Sequence, residues 1–360
     1  MQKRIVHMLN AMGMGGIENF IMNVYRNLDR ENYQFDFILQ NEAESIFEAE
    51  IRNLGGRIYK IPRFEKNPLK HMSELKKILK ENQYIAFHRH TANSVVFVDL
   101  MVAKLAGIKN IIVHSHNTMH PQKSLNIFCR PILYALADEH FACGEDAGKW
   151  LYGSREFEVI YNGIEIAKYA YSEETRLECR KEIGLSEDDI VLGHIGRFSE
   201  QKNHKFLVEM FKELSKLNDK YKLILCGDGE LREEIALYCK EKELDNKVIF
   251  LGIRKDVNKV LQAMDAFVFP SKYEGLPVSL IETQLTSLPC FISNTITDEA
   301  LYNKNIVKLG IEESDKEEWC KQIMALPITT EYRSYINEDL YNDYEIKNIV
   351  KKLCEIYENR

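Results

Sequence analysis

Two glutamates eight positions apart, Glu274 and Glu282, frame the string in this 360-residue chain whose chemistry is easiest to read: Tyr273-Glu274-Gly275-Leu276-Pro277-Val278-Ser279-Leu280-Ile281-Glu282. Proline suits the first turn of a helix. Glu274 then falls in a loop, and Glu282 lies about one and a half turns inside the helix. Both can face one pocket and accept hydrogen bonds from hydroxyls of a sugar or ribose. Upstream, Arg197 and Lys202 stand five positions apart after the apolar run Ile190–Ile195. A guanidinium fork and an ammonium there could clamp a diphosphate, or could be ordinary surface charges. Near the start, Gly13-Met14-Gly15-Gly16-Ile17-Glu18 follows the first apolar run. Free N–H groups and the dipole of a helix opening there attract phosphate, although a plain tight turn would look the same. The dinucleotide fingerprint fails because Glu18 occupies its third glycine position, and no GxxxxGK[ST] loop occurs. His88, His90, His114, His116 and His120 gather in the first half. A base or hydrogen-bond donor beside an acceptor hydroxyl is one use of them, and a zinc site is another. No CxxC or HExxH spacing accompanies them, and a structural role for any single one stands beside both.

These residues need strand ends to hold them. Apolar runs at Arg4–Leu9, Phe35–Leu39, Arg57–Ile61, Tyr84–His88, Asn110–His114, Glu139–Cys143 and Glu158–Tyr161 alternate with helical patterns. The first helix places Ile17, Phe20, Ile21, Val24, Tyr25 and Leu28 on one face. Residues 162–172 read as a linker. A second series follows at Ile190–Ile195, Lys222–Cys226, Val248–Leu251, Ala266–Phe269 and Cys290–Ile292, and an amphipathic helix at about Tyr344–Tyr357 closes the chain. The expected architecture is α/β: two doubly wound parallel-sheet domains, 1–165 and 166–340, with a helix at 341–360 that can cross back to the first. Ligands of such sheets bind at the carboxyl ends of strands, so the gap between two facing domains is the expected site.

Composition excludes several classes. Hydrophobic residues are 45% and charged residues 29%, which suits a globular chain and not a disordered one. No apolar run approaches the roughly 18 residues of a membrane span. The eight cysteines are never closer than 13 positions apart and read as small hydrophobes; Trp150 and Trp319 read as core. Residues 1–170 carry 21 Lys+Arg against 19 Asp+Glu, and the remainder 27 against 36. That balance opposes nucleic-acid binding and allows the first half to rest on an anionic membrane. The opening Met1-Gln2-Lys3-Arg4-Ile5-Val6 reads as a strand and not as a secretion signal, so a cytoplasmic location is expected.

Glu274-Gly275-Leu276-Pro277 through Glu282 resembles the EX7E motif of retaining glycosyltransferases of family 4, which have the GT-B fold of two facing Rossmann-like domains. Gly196-Arg197 through Lys202-Asn203 is similar to that family's GR-x-x-x-x-K segment. Cys226-Gly227-Asp228-Gly229 is similar to its G-x-G strand end, Tyr161-Asn162-Gly163-Ile164 to its interdomain turn, and Gly15-Gly16-Ile17-Glu18 to its first loop. The His114-Ser115-His116-Asn117 string looks most like exopolysaccharide and capsule transferases. Thr283 and Ser287 depart mildly from the pattern.

The resemblance implies transfer of a sugar from a nucleotide-diphospho-sugar, UDP-sugar first, to a glycan or lipid-linked acceptor, with no metal or other cofactor. It implies donor contacts from Gly15, Gly16, Gly227, Ile253, Arg254, Glu274, Gly275, Leu276, Pro277, Val278 and Glu282, with Arg197 and Lys202 neutralising the leaving diphosphate. His116, with His114 as its rival, would be the histidine beside the transferred sugar, and Glu18, His90, His114 and His116 would meet the acceptor. A nucleotide-sugar epimerase, a phosphorylase or a non-catalytic nucleotide-sugar-binding subunit are the other readings.

Overall fold

A computed structural model gives the structure of the chain and describes residues 2–13, 16–41, 46–117, 123–327, 333 and 335–358. The chain divides into two compact units. The first is Met1–Ile164 with Asp343–Arg360, and the second is Glu165–Asn342.

The first unit holds strands β1 (Lys3–Leu9), β2 (Tyr33–Leu39), β3 (Ile58–Lys60), β4 (Ala86–Thr91), β5 (Ile111–Ser115), β6 (Glu139–Ala142) and β7 (Glu158–Val159). Its helices are α1 (Gly16–Asn27), α2 (Glu48–Asn53), α3 (Pro68–Glu81), α4 (Phe97–Ala106), α5 (Lys123–Leu136) and α6 (Glu145–Tyr152). The second holds β8 (Ile190–Ile195), β9 (Tyr221–Cys226), β10 (Val248–Gly252), β11 (Ala266–Phe269), β12 (Cys290–Ser293) and β13 (Ile306–Leu309), with α7 (Glu173–Glu182), α8 (His204–Leu217), α9 (Arg232–Glu241), α10 (Val257–Ala263), α11 (Val278–Leu285) and α12 (Lys316–Met324). Helices α13 (Glu338–Tyr344) and α14 (Ile346–Glu358) follow.

The sheet orders are β3-β2-β1-β4-β5-β6-β7 and β10-β9-β8-β11-β12-β13, and the paired strands run parallel. Each order reverses once, between β1 and β4 and between β8 and β11. A doubly wound sheet leaves an opening at such a reversal, at the carboxyl ends of the two strands. The sequence places its candidate residues there: Gly13 and Gly16–Glu18 after β1, His90 near the end of β4, Gly196–Lys202 after β8, and Tyr273–Glu282 after β11.

Several boundaries differ from the sequence reading, each for a physical reason. Strand β4 begins two residues later than expected and runs on through Arg89, His90 and Thr91, all buried. Polar residues survive in this central strand because they are paired; Arg89 Nε donates to Asp99 at 2.8 Å. His88 is therefore mid-strand. Strand β13 was absent from the sequence reading, since a four-residue edge strand gives little periodic signal. Pro277 caps α11 from outside its first turn. Residues 162–172 are not a free linker. Gly163 abuts Ile346, Ile164 bridges to Glu345, and residues Ile166–Tyr169 form a short 3-10 helix with Ile166 and Tyr169 buried. Trp319 is fully buried, whereas Trp150 is half-buried with its indole N–H donated to the Ala92 carbonyl.

Helix α14 belongs to the first unit. Its Ile346, Ile349, Leu353 and Tyr357 pack with Phe20, Tyr25, Phe35 and Phe37 in one core. Exposed pairs Lys3–Glu358 and Lys352–Glu158 contribute little beside that burial. Truncating Leu353, 1% exposed, to alanine should therefore destabilise the first unit by about 2–5 kcal/mol, the usual cost of a leucine-sized cavity. Urea unfolding followed by hydrogen exchange in β1 and β2 would check this, and an unchanged midpoint would contradict the packing.

Candidate active site

In the second unit, the loops leaving β8, β9 and β11 are stitched to one another by backbone. Gly196 N–H donates to Cys226 at 3.0 Å, Phe198 N–H to Asp228 at 3.0 Å, and Gly227 N–H to Gly252 at 2.8 Å. Gly227 has φ 142°, and a Cβ there would meet the Gly196 carbonyl oxygen at 2.0 Å, so only glycine allows this approach. Phe198 is fully buried and anchors the loop. The loop after β11 is tied to the same frame. Lys272 N–H donates to the Gln201 carbonyl at 2.8 Å, the Gln201 side-chain amide to Tyr273 at 2.9 Å, and the Asn203 amide to Pro270 at 3.2 Å.

That frame brings Lys202 and Glu274 together. Lys202 Nζ lies 2.7 Å from Glu274 Oε1 and 4.5 Å above the Phe269 ring centroid, and both side chains are largely sheltered from water. The ammonium thus has a carboxylate and an aromatic face as neighbours. Gly275 is exposed, Leu276 half-buried and Pro277 buried just ahead of exposed Val278 at the start of α11. Arg197, expected to share a clamp with Lys202, does not join the pair. Its side chain is 74% exposed and reaches Glu230 at 3.1 Å. The reason is local: Phe198 turns inward, which leaves Arg197 facing out. An exposed ion pair of this kind is worth under about 1 kcal/mol, so the fork can exchange partners at small cost.

Glu282 lies on α11 and accepts a hydrogen bond from the Tyr169 hydroxyl at 2.6 Å. Burial pushes its carboxyl up to about 7, because a low-dielectric site disfavours the charged form. Tyr169 carries no sequence signal of this role, since it sits in the stretch that reads as a linker. The residues expected around a base do not form one cluster of free groups. Ile253 is 65% exposed, and Arg254 is committed to Asp256 at 2.6 Å and Glu182 at 2.9 Å.

The first unit carries a different arrangement. His7, His90 and His116 form a chain of imidazoles, with His7 Nδ1 3.0 Å from His90 Nε2 and His90 Nδ1 2.9 Å from His116 Nε2. Burial pushes His116 down to about 3, and His90 and His114 well below the usual imidazole range. These rings are neutral near pH 7 and act through hydrogen bonds, one tautomer fixing the next. His114 is fully buried within β5 against Phe20 and Phe141, while half-buried His116 follows the strand end. Ring nitrogens of His7, His88 and His90, and of His90, His114 and His116, come within 4.8 Å of one another, the spacing a metal ion could use. The His88 and His90 rings are stacked 4.3 Å apart at 20°, so their in-plane lone pairs run side by side rather than toward one centre.

Beside the chain lies a cavity of about 570 Å³, lined by Asn10, Glu18, Arg89, His90, Asn93 and Asn117 together with Leu9, Phe64, Val96 and Leu125. Arg89 and Asp99 in its lining carry no sequence signal, because an arginine after an apolar run reads as the end of a strand and its partner lies 10 positions on, in α4. Gly16, exposed, opens α1; Gly15 and His120 lie outside the described residues.

Residues 175–342 match the family model for glycosyl transferases group 1, and residues 14–168 match that for glycosyltransferase family 4. The glycosyltransferase EpsF of Bacillus subtilis (strain 168) is 35% identical over 99% of this chain and 96% of its own length. The chain belongs to glycosyltransferase family 4. A further relative of this transferase is an Escherichia coli UDP-Gal:alpha-D-GlcNAc-diphosphoundecaprenol alpha-1,3-galactosyltransferase, 24% identical over 98% of this chain and 96% of that one. Among solved structures, HepE of Anabaena in complex with UDP superposes with a TM-score of 0.78 at 18% identity, covering 98% of this chain and 99% of that one. A glycosyltransferase from Rickettsia africae reaches 0.82 at 15% identity, covering 100% of each chain. The fold of this family 4 transferase is GT-B, with two Rossmann-like parallel sheets.

Proposed function

We propose that this glycosyltransferase moves a sugar from a UDP-sugar, with retained anomeric configuration, to a hydroxyl of a lipid-linked glycan during assembly of a surface polysaccharide. The observation that carries the reading is the sheltered Lys202–Glu274 pair at the strand ends where β8 and β11 part. When the anomeric C–O bond breaks, its electron pair stays on the diphosphate and positive charge builds on the sugar. Lys202 offsets the first charge at a fixed position. Glu274 orients Lys202 and receives donor hydroxyls. The acceptor hydroxyl forms the new bond to the anomeric carbon and gives its proton to the departing phosphate oxygen on the same face. The cations in this proposal belong to the protein. Glu282 accepts from the ribose hydroxyls, and the exposed Arg197 leaves Glu230 for the diphosphate. The cavity beside His90 suits the acceptor sugar, whose hydroxyls would meet Glu18, Asn93 and the imidazole chain. A uridine donor and a diphosphoundecaprenol-linked acceptor are supported by the E. coli relative, and surface-polysaccharide assembly by the EpsF likeness.

The test is a thermal-shift panel of UDP-, GDP- and ADP-sugars, followed by transfer to a diphospholipid-linked sugar. A donor at 100 times its Kd stabilises the second unit by about 2.7 kcal/mol. One UDP-sugar should stand out and be transferred as the α-linked product from an α-linked donor. Epimerisation of the donor without acceptor, or binding with no turnover, would contradict the proposal.

A further inference from the structure

Helices α4 and α5 cover one side of the first sheet, and their outward faces do not look like a solvated surface. On α5, Ser124, Phe128, Pro131 and Ala135 recur at helical spacing on the exposed side, flanked by exposed Leu125, Ile127 and Ile132. Phe128 is 76% exposed. Neighbouring α4 adds exposed Met101 and Leu105. By comparison, α8 in the second unit exposes Lys205, Glu213 and Lys216, with a single apolar residue, Leu217, exposed at its last position, the ordinary outer face of an amphipathic helix. Single exposed apolar residues need no explanation, but a cluster on one helix face does.

Charge on this side has one sign at its centre. No carboxylate occurs in α5, and the single one in α4, Asp99, is buried against Arg89 and His71. Exposed Lys104, Lys109 and Lys123 border the apolar residues, and α3, which packs on α4, exposes Lys76, Lys77 and Lys80. The carboxylates lie at the margins. Glu74 is engaged with Lys70, Glu81 ends α3, half-buried Asp138 and Glu139 follow the last turn of α5 with Asp138 accepting from the Ile111 N–H, and Glu145 and Asp146 open α6. The apolar face also meets the cavity. Leu125 both lines the cavity and is exposed on the helix, and Pro68 and Val98, in the first turns of α3 and α4, line it too.

We propose that the α4–α5 face seats this protein on a bilayer bearing anionic lipid, with the apolar side chains in the headgroup region and the lysines on phosphates. Apolar area and lysines together give reversible binding of the interfacial kind. Because Leu125 belongs to both surfaces, an acceptor with its sugar in the cavity can lay its hydrocarbon anchor along α5. This last point rests on the lipid-linked acceptor proposed above; the docking itself does not.

Vesicle flotation tests it with the full chain. The protein should float with phosphatidylcholine vesicles containing phosphatidylglycerol, less with phosphatidylcholine alone, and less again in high salt. The double variant Phe128→Glu/Ile132→Glu should lose about tenfold or more in vesicle partitioning, since it removes two apolar groups from the headgroup contact and adds repulsion. Both positions are exposed, so its melting temperature and its transfer to a short, water-soluble acceptor should not change. Equal flotation of the variant, or a wild type that stays in solution with both vesicles, would overturn the proposal. So would a wild-type dimer that the variant dissociates while vesicle binding persists, because the face would then be a contact between copies. Normal flotation with no sugar transfer to any acceptor would leave the docking standing and remove the function proposed above.

Discussion

Lys202→Ala should lower turnover about 10³-fold, with the donor Kd weakened as well. Removing one preorganised group that meets developing charge typically costs roughly 10²–10³ in rate. A full positive charge that faces a leaving diphosphate should sit at the upper end. The variant also leaves Glu274 without its cation in a site largely closed to water, and breaking a sheltered pair destabilises. A folding defect must therefore be separated from a catalytic one. The double variant Lys202→Ala/Glu274→Gln removes the stranded charge, so it should recover much of the lost melting temperature without recovering turnover. Near-normal turnover in folded Lys202→Ala would remove the role assigned to it. Arg197→Ala should do less, because that side chain faces solvent and must leave Glu230 before it can act.

Glu282→Ala should weaken donor binding by about 10²-fold, because a hydrogen bond to a charged group contributes about 1.5–3 kcal/mol and two ribose hydroxyls are served. The pH dependence follows from the sign of its shift. The folded carboxyl is raised by burial from 4.5 to about 7. Folding stability from this group is thus fully present below about pH 4.5 and lost as pH rises through about 7. Ligand hydroxyls favour the ionised form, so donor affinity should rise with pH toward 7 and level off above it. Calorimetry in buffers of different ionisation heat should detect proton release on binding near pH 6. Glu282→Gln should flatten the profile, and a profile identical to wild type would sever Glu282 from the nucleotide.

The legible part of this chain was whatever gives a period or a local turn signal. The β8 and β11 strands fall on their expected residues because each is a short apolar run bounded by glycine or proline. Their loops carry the Lys202 and Glu274 pair to one point, which spacing alone suggested but could not place. The illegible part was made of long-range pairings. Arg89 inside β4 makes sense only beside Asp99, and Tyr169 only beside Glu282, 113 positions away. The outward turn of Arg197 depends on Phe198 filling the core beneath it. The histidines of β4 and β5 were visible as a cluster in sequence. The hydrogen-bonded chain that runs from His7, on a third strand, through His90 to His116 needed the strand register, in which His7 pairs with His88 and His90 with His114.

Comparing uridine with UDP as ligands isolates the charge at the centre of this account, since the two differ only in the diphosphate. Isothermal titration of both into wild type and Lys202→Ala should show UDP weakened about 10²-fold by the substitution and uridine unchanged. UDP bound equally by the two proteins, with the substitution's fold intact, would show that Lys202 does not hold the diphosphate.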